Sequence, residues 1–236
     1  MMTVDEILSE LKAYGNQSTK KVLMNHGVKE PFYGVKIQDM KKIVKKVKKD
    51  YERSLELYDT GISDAMYLAG LIADENKMTK KDLNKWVKGA YWYMLSEYTV
   101  PWITSESKYG YELGLEWIKS DDESIASAGW STLSNLASIK RDEELDIKMF
   151  DELLDHIEKN IHQSQNRVRY AMNGFIIAMG AYIPALTEKA LKVGKNVGKV
   201  NVDVGGTACK VPLASEYIKK VQDKGRIGKK RKMARC

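Results

Sequence analysis

The stretch Ile37-Gln38-Asp39-Met40-Lys41-Lys42-Ile43-Val44-Lys45-Lys46-Val47 decides the fold class. Its apolar residues fall at 37, 40, 43, 44 and 47, the three-and-four spacing of one helix face, and lysines fill the other faces. The stripe returns at Ile147, Phe150, Leu153, Leu154, Ile157 and Ile161, with Asp151, Glu152, Asp155 and Glu158 opposite, and again at Val168, Met172, Phe175, Ile176 and Met179. Breaks at Gly15, Gly27, Gly34, Gly61, Asn76 and Ser120–Asp122 separate the stripes. Cap-forming residues (Ser63-Asp64, Thr79, Ser120 and Asp142) stand before several of them. The pattern predicts an all-α chain of roughly ten to a dozen helices, each of about 10–18 residues, with short connectors. The helices pair at a loose spacing of about 35–45 residues, the range of HEAT-like units. A single pair cannot cover its own apolar face, so the pairs are expected to stack into an α-α superhelix. Pro101 should start a helix or kink one, because it has no N–H to give.

The C-terminal part reads differently. Val200, Val202 and Val204 alternate with Asn201 and Asp203 before Gly205-Gly206, which predicts an extended segment or loop. A short helix should run from Leu213 to about Asp223, followed from Gly225 to Cys236 by a basic tail expected to be mobile. This divides the chain into a helical repeat domain, 1–198, and a C-terminal extension, 199–236.

Composition narrows the function. At 43% hydrophobic and 30% charged residues the balance is that of a soluble domain. No stretch has the unbroken apolar length a membrane span needs, and no membrane partner is expected. Asp5, Glu6 and Glu10 among the first residues give helix patterning rather than a secretion signal. Cys209 and Cys236 make no disulfide framework, and His26, His156 and His162 have no metal-ligand spacing. A cytoplasmic, monomeric protein without metal or cofactor is the expectation. Charge is segregated: residues 20–49 carry ten lysines against two acids, and residues 215–236 carry nine Lys/Arg against two acids. Two basic blocks around a mildly acidic middle suit a phosphate-rich partner or, more plainly, a solvated surface with a basic tail.

Candidate chemistry concentrates in Tyr91-Trp92-Tyr93-Met94-Leu95-Ser96-Glu97-Tyr98-Thr99-Val100-Pro101-Trp102. On an α-helix Tyr93, Glu97 and Pro101, four apart, share a face. An aromatic ring beside a carboxylate suits a cation. N-alkylated purines are cations, and their departure develops oxocarbenium charge that a fixed carboxylate would stabilise. The plainer alternative is an aromatic core helix with Glu97 at the surface or in an ion pair.

The chain resembles the AlkD-like DNA alkylation repair family, HEAT-like alkylpurine DNA glycosylases. The likeness lies in Tyr33-Gly34-Val35-Lys36-Ile37-Gln38-Asp39-Met40-Lys41-Lys42-Ile43, in Met94-Leu95-Ser96-Glu97-Tyr98-Thr99-Val100-Pro101-Trp102, in Ala128-Gly129-Trp130-Ser131-Thr132-Leu133 and in Asn166-Arg167-Val168-Arg169-Tyr170-Ala171-Met172-Asn173-Gly174-Phe175. It continues through Val202-Asp203-Val204-Gly205-Gly206-Thr207-Ala208-Cys209-Lys210-Val211-Pro212 and Gly228-Lys229-Lys230-Arg231-Lys232. The resemblance implies a superhelix whose concave basic face cradles double-stranded DNA, alkylated or distorted. It also implies excision of 3-methyladenine or 7-methylguanine without metal or cofactor. The family's Trp-xxx-Asp-xxx-Pro pattern reads here as Tyr93, Glu97, Pro101, and the position of its catalytic Arg falls on Ser127.

The resemblance thus implies Glu97 and Tyr93 as the catalytic pair. Trp92, Trp102 and Trp130 would contact the base or its sugar. Lys41, Lys42, Lys45, Lys46, Arg167, Arg169 and Asn173 would bind DNA. Two further readings remain open: a non-catalytic binder of damaged or branched DNA on the same scaffold, and a helical-repeat module for protein or RNA.

Overall fold

The computed structural model describes residues 2–235, so Met1 and Cys236 lie outside it. Among the described residues there are thirteen α-helices and no strand. In order along the sequence α1 is Val4–Ala13, α2 Gln17–Asn25, α3 Ile37–Val47, α4 Tyr51–Asp59, α5 Ser63–Ile72, α6 Lys80–Gly89, α7 Val100–Glu106 and α8 Gly110–Trp117. Then follow α9 Glu123–Ile139, α10 Ile147–Asn160, α11 Asn166–Tyr182, α12 Thr187–Val197 and α13 Ala214–Asp223. Consecutive helices pack as pairs (α4 with α5, α8 with α9, α11 with α12), and among the described residues α9 and α11 make the most extensive contact. The predicted all-α repeat fold is present, with one more helix than the upper expectation.

Local chemistry explains the helix starts. Thr79 and Asp82 form a capping box at α6, Asp50 caps α4, and Asp146 caps α10. Asp122, rather than Ser120, caps α9. Asp64 does no capping: it is buried and accepts backbone N–H bonds from Tyr33, Gly34 and Val35, the last at 2.8 Å. Those bonds hold the loop before α3 against α5. Gly34 has φ +76°, and a Cβ there would come within 2.7 Å of the Lys20 amide nitrogen, so only glycine fits. Gly110 and Gly114 let α8 approach α9: a Cβ would meet Leu136 and Leu133 at 3.0 and 2.7 Å.

The apolar stripes fill two adjoining cores. Leu57, Leu68, Trp86 and Leu95 belong to the N-terminal core; Phe150, Leu154, Phe175 and Ile218 belong to the C-terminal one. Each fully buried Leu, Ile or Phe of this kind contributes about 1.5–3 kcal/mol.

Between α6 and α7 the backbone makes a π-helical turn, Met94–Thr99. Pro101 supplies the reason. In a regular helix its ring would collide with the carbonyl of residue 97, and it has no N–H for that carbonyl. Widening the preceding turn moves the carbonyl aside. The face assumed for Tyr93, Glu97 and Pro101 in an unbroken α-helix is therefore not the one that forms.

The mobile tail is corrected. Residues 225–235 fold back across the molecule as a strap. The Arg231 amide donates to Ser138 O, Lys230 Nζ bonds Ala137 O and Asp142, and the Ala234 amide donates to Glu106. Arg235 is only 7% exposed. Its guanidinium bonds Glu106, Glu75 and the carbonyls of Leu71 and Ala73 at the end of α5. Ala234 joins the N-terminal core although α13 belongs to the C-terminal one. Two of the tail's cations, Lys230 and Arg235, have built acidic partners that hold it down.

Removing one partner of a buried ion network costs about 3–5 kcal/mol. Arg235→Ala should therefore lower unfolding stability in urea by about 3 kcal/mol and make the strap beyond Asp223 a substrate for limited proteolysis. An unchanged midpoint and an uncut tail would contradict the strap's role.

Candidate functional site

Glu97 sits in the π-helical turn with its side chain 3% exposed. Arg167, in the first turn of α11, meets it side-on: Nε donates to Oε1 and Nη2 to Oε2, both at 2.6 Å. This is the bidentate fork that guanidinium and carboxylate geometry favours. The Arg167 guanidinium also lies between two rings, 4.7 Å from the centre of Tyr93 and 4.5 Å from that of Tyr170. The Arg167 amide donates to Glu123 at the start of α9, and the Tyr93 hydroxyl pairs with His26 Nδ1 at the end of α2. The aromatic and carboxylate groups are thus brought together, and the slot they form is filled by the protein's own cation.

Burial pushes the Glu97 carboxyl up to about 6, against the opposing pull of the Arg167 hydrogen bonds and charge. Burial works against the Arg167 guanidinium too, but the Glu97 carboxylate outweighs it and its pKa is raised. Burial raises the Tyr93 hydroxyl to about 12, and it raises Tyr98 and Tyr170 as well, so all three rings stay neutral at physiological pH.

Behind the ion pair lies a cavity of about 310 Å³. Glu97, Tyr98 and Trp102 form one wall, and Tyr170 and Asn173 of α11 form another. Ser131 and Asn135 of α9 face in, while Pro212 and Arg231 border it. Tyr98 and Trp102 meet edge to face with centres 6.1 Å apart.

Several of the expected contact residues are engaged within the protein itself. Arg167 does not present itself to a phosphate; it is engaged by Glu97. Trp92 is buried and donates its indole N–H to Ser63 Oγ at 3.0 Å. Trp130 is 1% exposed and packs edge-on to Phe175, with ring centres 5.2 Å apart, whereas Trp102, itself only 3% exposed, borders the cavity. Asn173 is 1% exposed and donates through Nδ2 to Pro212 O, which fixes the 199–212 segment. Ser127 is fully buried, and its Oγ has no hydrogen-bond partner among the described residues. The cation beside Glu97 is Arg167 of α11. Arg169 is half-buried and lines a cleft with Asn166, Lys199 and Cys209.

The α3 lysines lie elsewhere. Lys42 pairs with Asp39 and Lys46 with Glu10, Lys45 is exposed, and Lys41 borders a cavity of about 530 Å³ together with Lys48, Lys140 and Lys232. The two basic blocks of the sequence meet there, but none of these lysines borders the Glu97 cavity. Tyr98, Asn135, Tyr170 and Arg231 were not singled out from sequence. The spacing of Arg167 and Tyr170, three apart on one helix face, was the available signal for the last ring.

The profile of the family described as "DNA alkylation repair enzyme" matches residues 7–218. An uncharacterized protein of Listeria monocytogenes is 36% identical over 230 residues, 95% of this chain and 99% of its own length. A counterpart from Listeria innocua is 35% identical over the same span. A solved structure matches along the whole of both chains with a TM-score of 0.92 and 40% identity. It is described as belonging to a new family of proteins related to the HEAT-like repeat DNA glycosylases with affinity for branched DNA structures.

Truncating Arg167 should cost about 3 kcal/mol at pH 7.5, because it strands a buried carboxylate. The cost should shrink below pH 6. Glu97 has its folded-state pKa raised above the unfolded value. Its contribution is fully present below the unfolded pKa of 4.5 and is lost as pH rises through about 6. Urea titrations of Arg167→Ala and the parent from pH 4.5 to 7.5 measure this. A pH-independent difference would contradict the buried pair.

Proposed function

This chain belongs to the DNA alkylation repair enzyme family, and from that premise we propose that it is a DNA-binding protein that recognises branched or distorted duplex and excises no base. The observation that carries the reading is the fork between Glu97 and Arg167. Stabilising a developing oxocarbenium ion requires a carboxylate oxygen aimed at the sugar. Both Glu97 oxygens are aimed at Arg167, and the carboxylate side chain is 3% exposed. Tyr93 offers its ring face to the same guanidinium and its hydroxyl to His26. A cationic purine would find the aromatic–carboxylate slot taken.

The charge layout supports the branched-DNA half. Lys41, Lys48, Lys140 and Lys232 border one cavity, and Arg226, Lys229 and Arg231 border another. Two separate cation groups can engage two helical arms at once, which one straight duplex does not require. The structural relative's described affinity for branched DNA agrees with this use of the fold.

Two assays test the reading. Chromatography of bases released from methylated duplex should show no 3-methyladenine or 7-methylguanine above the spontaneous control, with Glu97→Gln indistinguishable from the parent. Fluorescence anisotropy at fixed salt should show a four-way junction bound at least about tenfold more tightly than linear duplex of the same sequences, with affinity falling steeply as salt rises. Release that disappears in Glu97→Gln would restore the glycosylase reading. Equal affinity for junction and duplex would overturn the binding one.

A further inference from the structure

The Glu97 cavity has features that neither fold stability nor the ion pair requires. It is bordered by the rings of Tyr98, Trp102 and Tyr170, and its volume of about 310 Å³ falls in the range of small-ligand sites. Asn173 lines it, and the Asn173 Oδ1 is buried without a hydrogen-bond partner. An unmet buried acceptor is costly and marks a place where a donor is wanted. Aromatic faces with a few amide and hydroxyl groups are the surroundings an unstacked nucleobase takes in single-strand recognition.

A second cavity, of about 720 Å³, continues from the first and shares Gly174, Ile177 and Arg231 with it. Its strap side is Arg226, Lys229 and Arg231. All three are exposed, and among the described residues none of them forms an ion pair. Lys230, between them in sequence, is turned away onto Asp142. Arg226, Lys229 and Arg231 thus border the groove, with Arg231 Nη2 also donating to Ala234 O, and they lie within reach of a backbone entering the aromatic cavity. The paired strap cations, Lys230 and Arg235, hold the strap in place.

We propose that this cavity receives one unpaired base from the centre of a DNA branch, while the phosphates beside it rest on Arg226, Lys229 and Arg231. The proposal rests on the branched-DNA reading above and assigns that reading its contact. Junction centres and bulges supply such a base at least cost, because it has already lost its pairing. Recognition is by stacking and shape, so any of the four bases serves.

Gly174 provides the test. It lies in the middle of α11, is exposed, and a Cβ there meets nothing within 4 Å. Leucine is a better helix former than glycine, so Gly174→Leu keeps the fold while filling the passage between the cavities. Anisotropy is measured on a three-way junction carrying one unpaired thymine at the branch, and on the same junction with an abasic residue in its place. The parent should prefer the thymine junction about tenfold, the scale of base–aromatic stacking. Gly174→Leu should bind both at the abasic level, with linear duplex affinity unchanged. Equal affinity of the parent for the two junctions, with both still preferred over duplex, overturns this proposal alone. A preference retained in Gly174→Leu also overturns it. Absence of any junction preference overturns the binding reading on which it stands.

Discussion

A carboxylate with 3% of its side chain exposed must find a cation or give up its charge. Glu97 finds Arg167, seventy residues further along, and much of the central structure follows from that pairing. The fork ties the π-helical turn to the first turn of α11. The Arg167 amide, bonded to Glu123, ties the same point to the start of α9. Tyr93 and Tyr170 close over the guanidinium from the two elements that the pair joins. The aromatic and carboxylate groups of this stretch thus fasten the π-helical turn to α9 and α11.

Much of the scaffold was legible because it depends on local rules. The stripes at Ile37–Val47, Ile147–Ile161 and Val168–Met179 became α3, α10 and α11, and the Thr79 cap and the 214–223 helix stand where their patterns placed them. The site was less legible because it depends on long-range geometry. Pro101 did disturb its helix, but by widening the preceding turn, so a four-residue face could not be counted across it. The position of the family's catalytic Arg falls on Ser127 of α9, and the cation that meets Glu97 comes from α11, a choice that separations along the sequence do not reveal. Trp92 and Trp130 carry the same indole as Trp102, yet only Trp102 borders the cavity, and that depends on which neighbours cover them.

The tail shows the same limit more sharply. Arg226, Lys229, Lys230, Arg231, Lys232 and Arg235 look alike as a basic run. Their fates diverge because Glu75 and Glu106, more than a hundred residues earlier, lie where Arg235 can reach them, and Asp142 lies where Lys230 can. The 199–212 segment behaves similarly. Asn166 exchanges two hydrogen bonds with the Asp203 backbone, and Thr207 and Cys209 share a cleft with Val22 and His26 at the end of α2.

An ordinary stack of helix pairs is a one-dimensional polymer, in which each unit senses only its neighbours and melting creeps inward from either tip. Here two crossings return late residues to early ones: the 199–212 segment to α2, and Arg235 to the end of α5. Such closure converts an open string into a ring in terms of cooperativity. Opening at one tip removes contacts from the other, so the partly frayed states natural to a solenoid are suppressed. The pitch of the spiral becomes a property of the whole molecule, set once when the ring shuts.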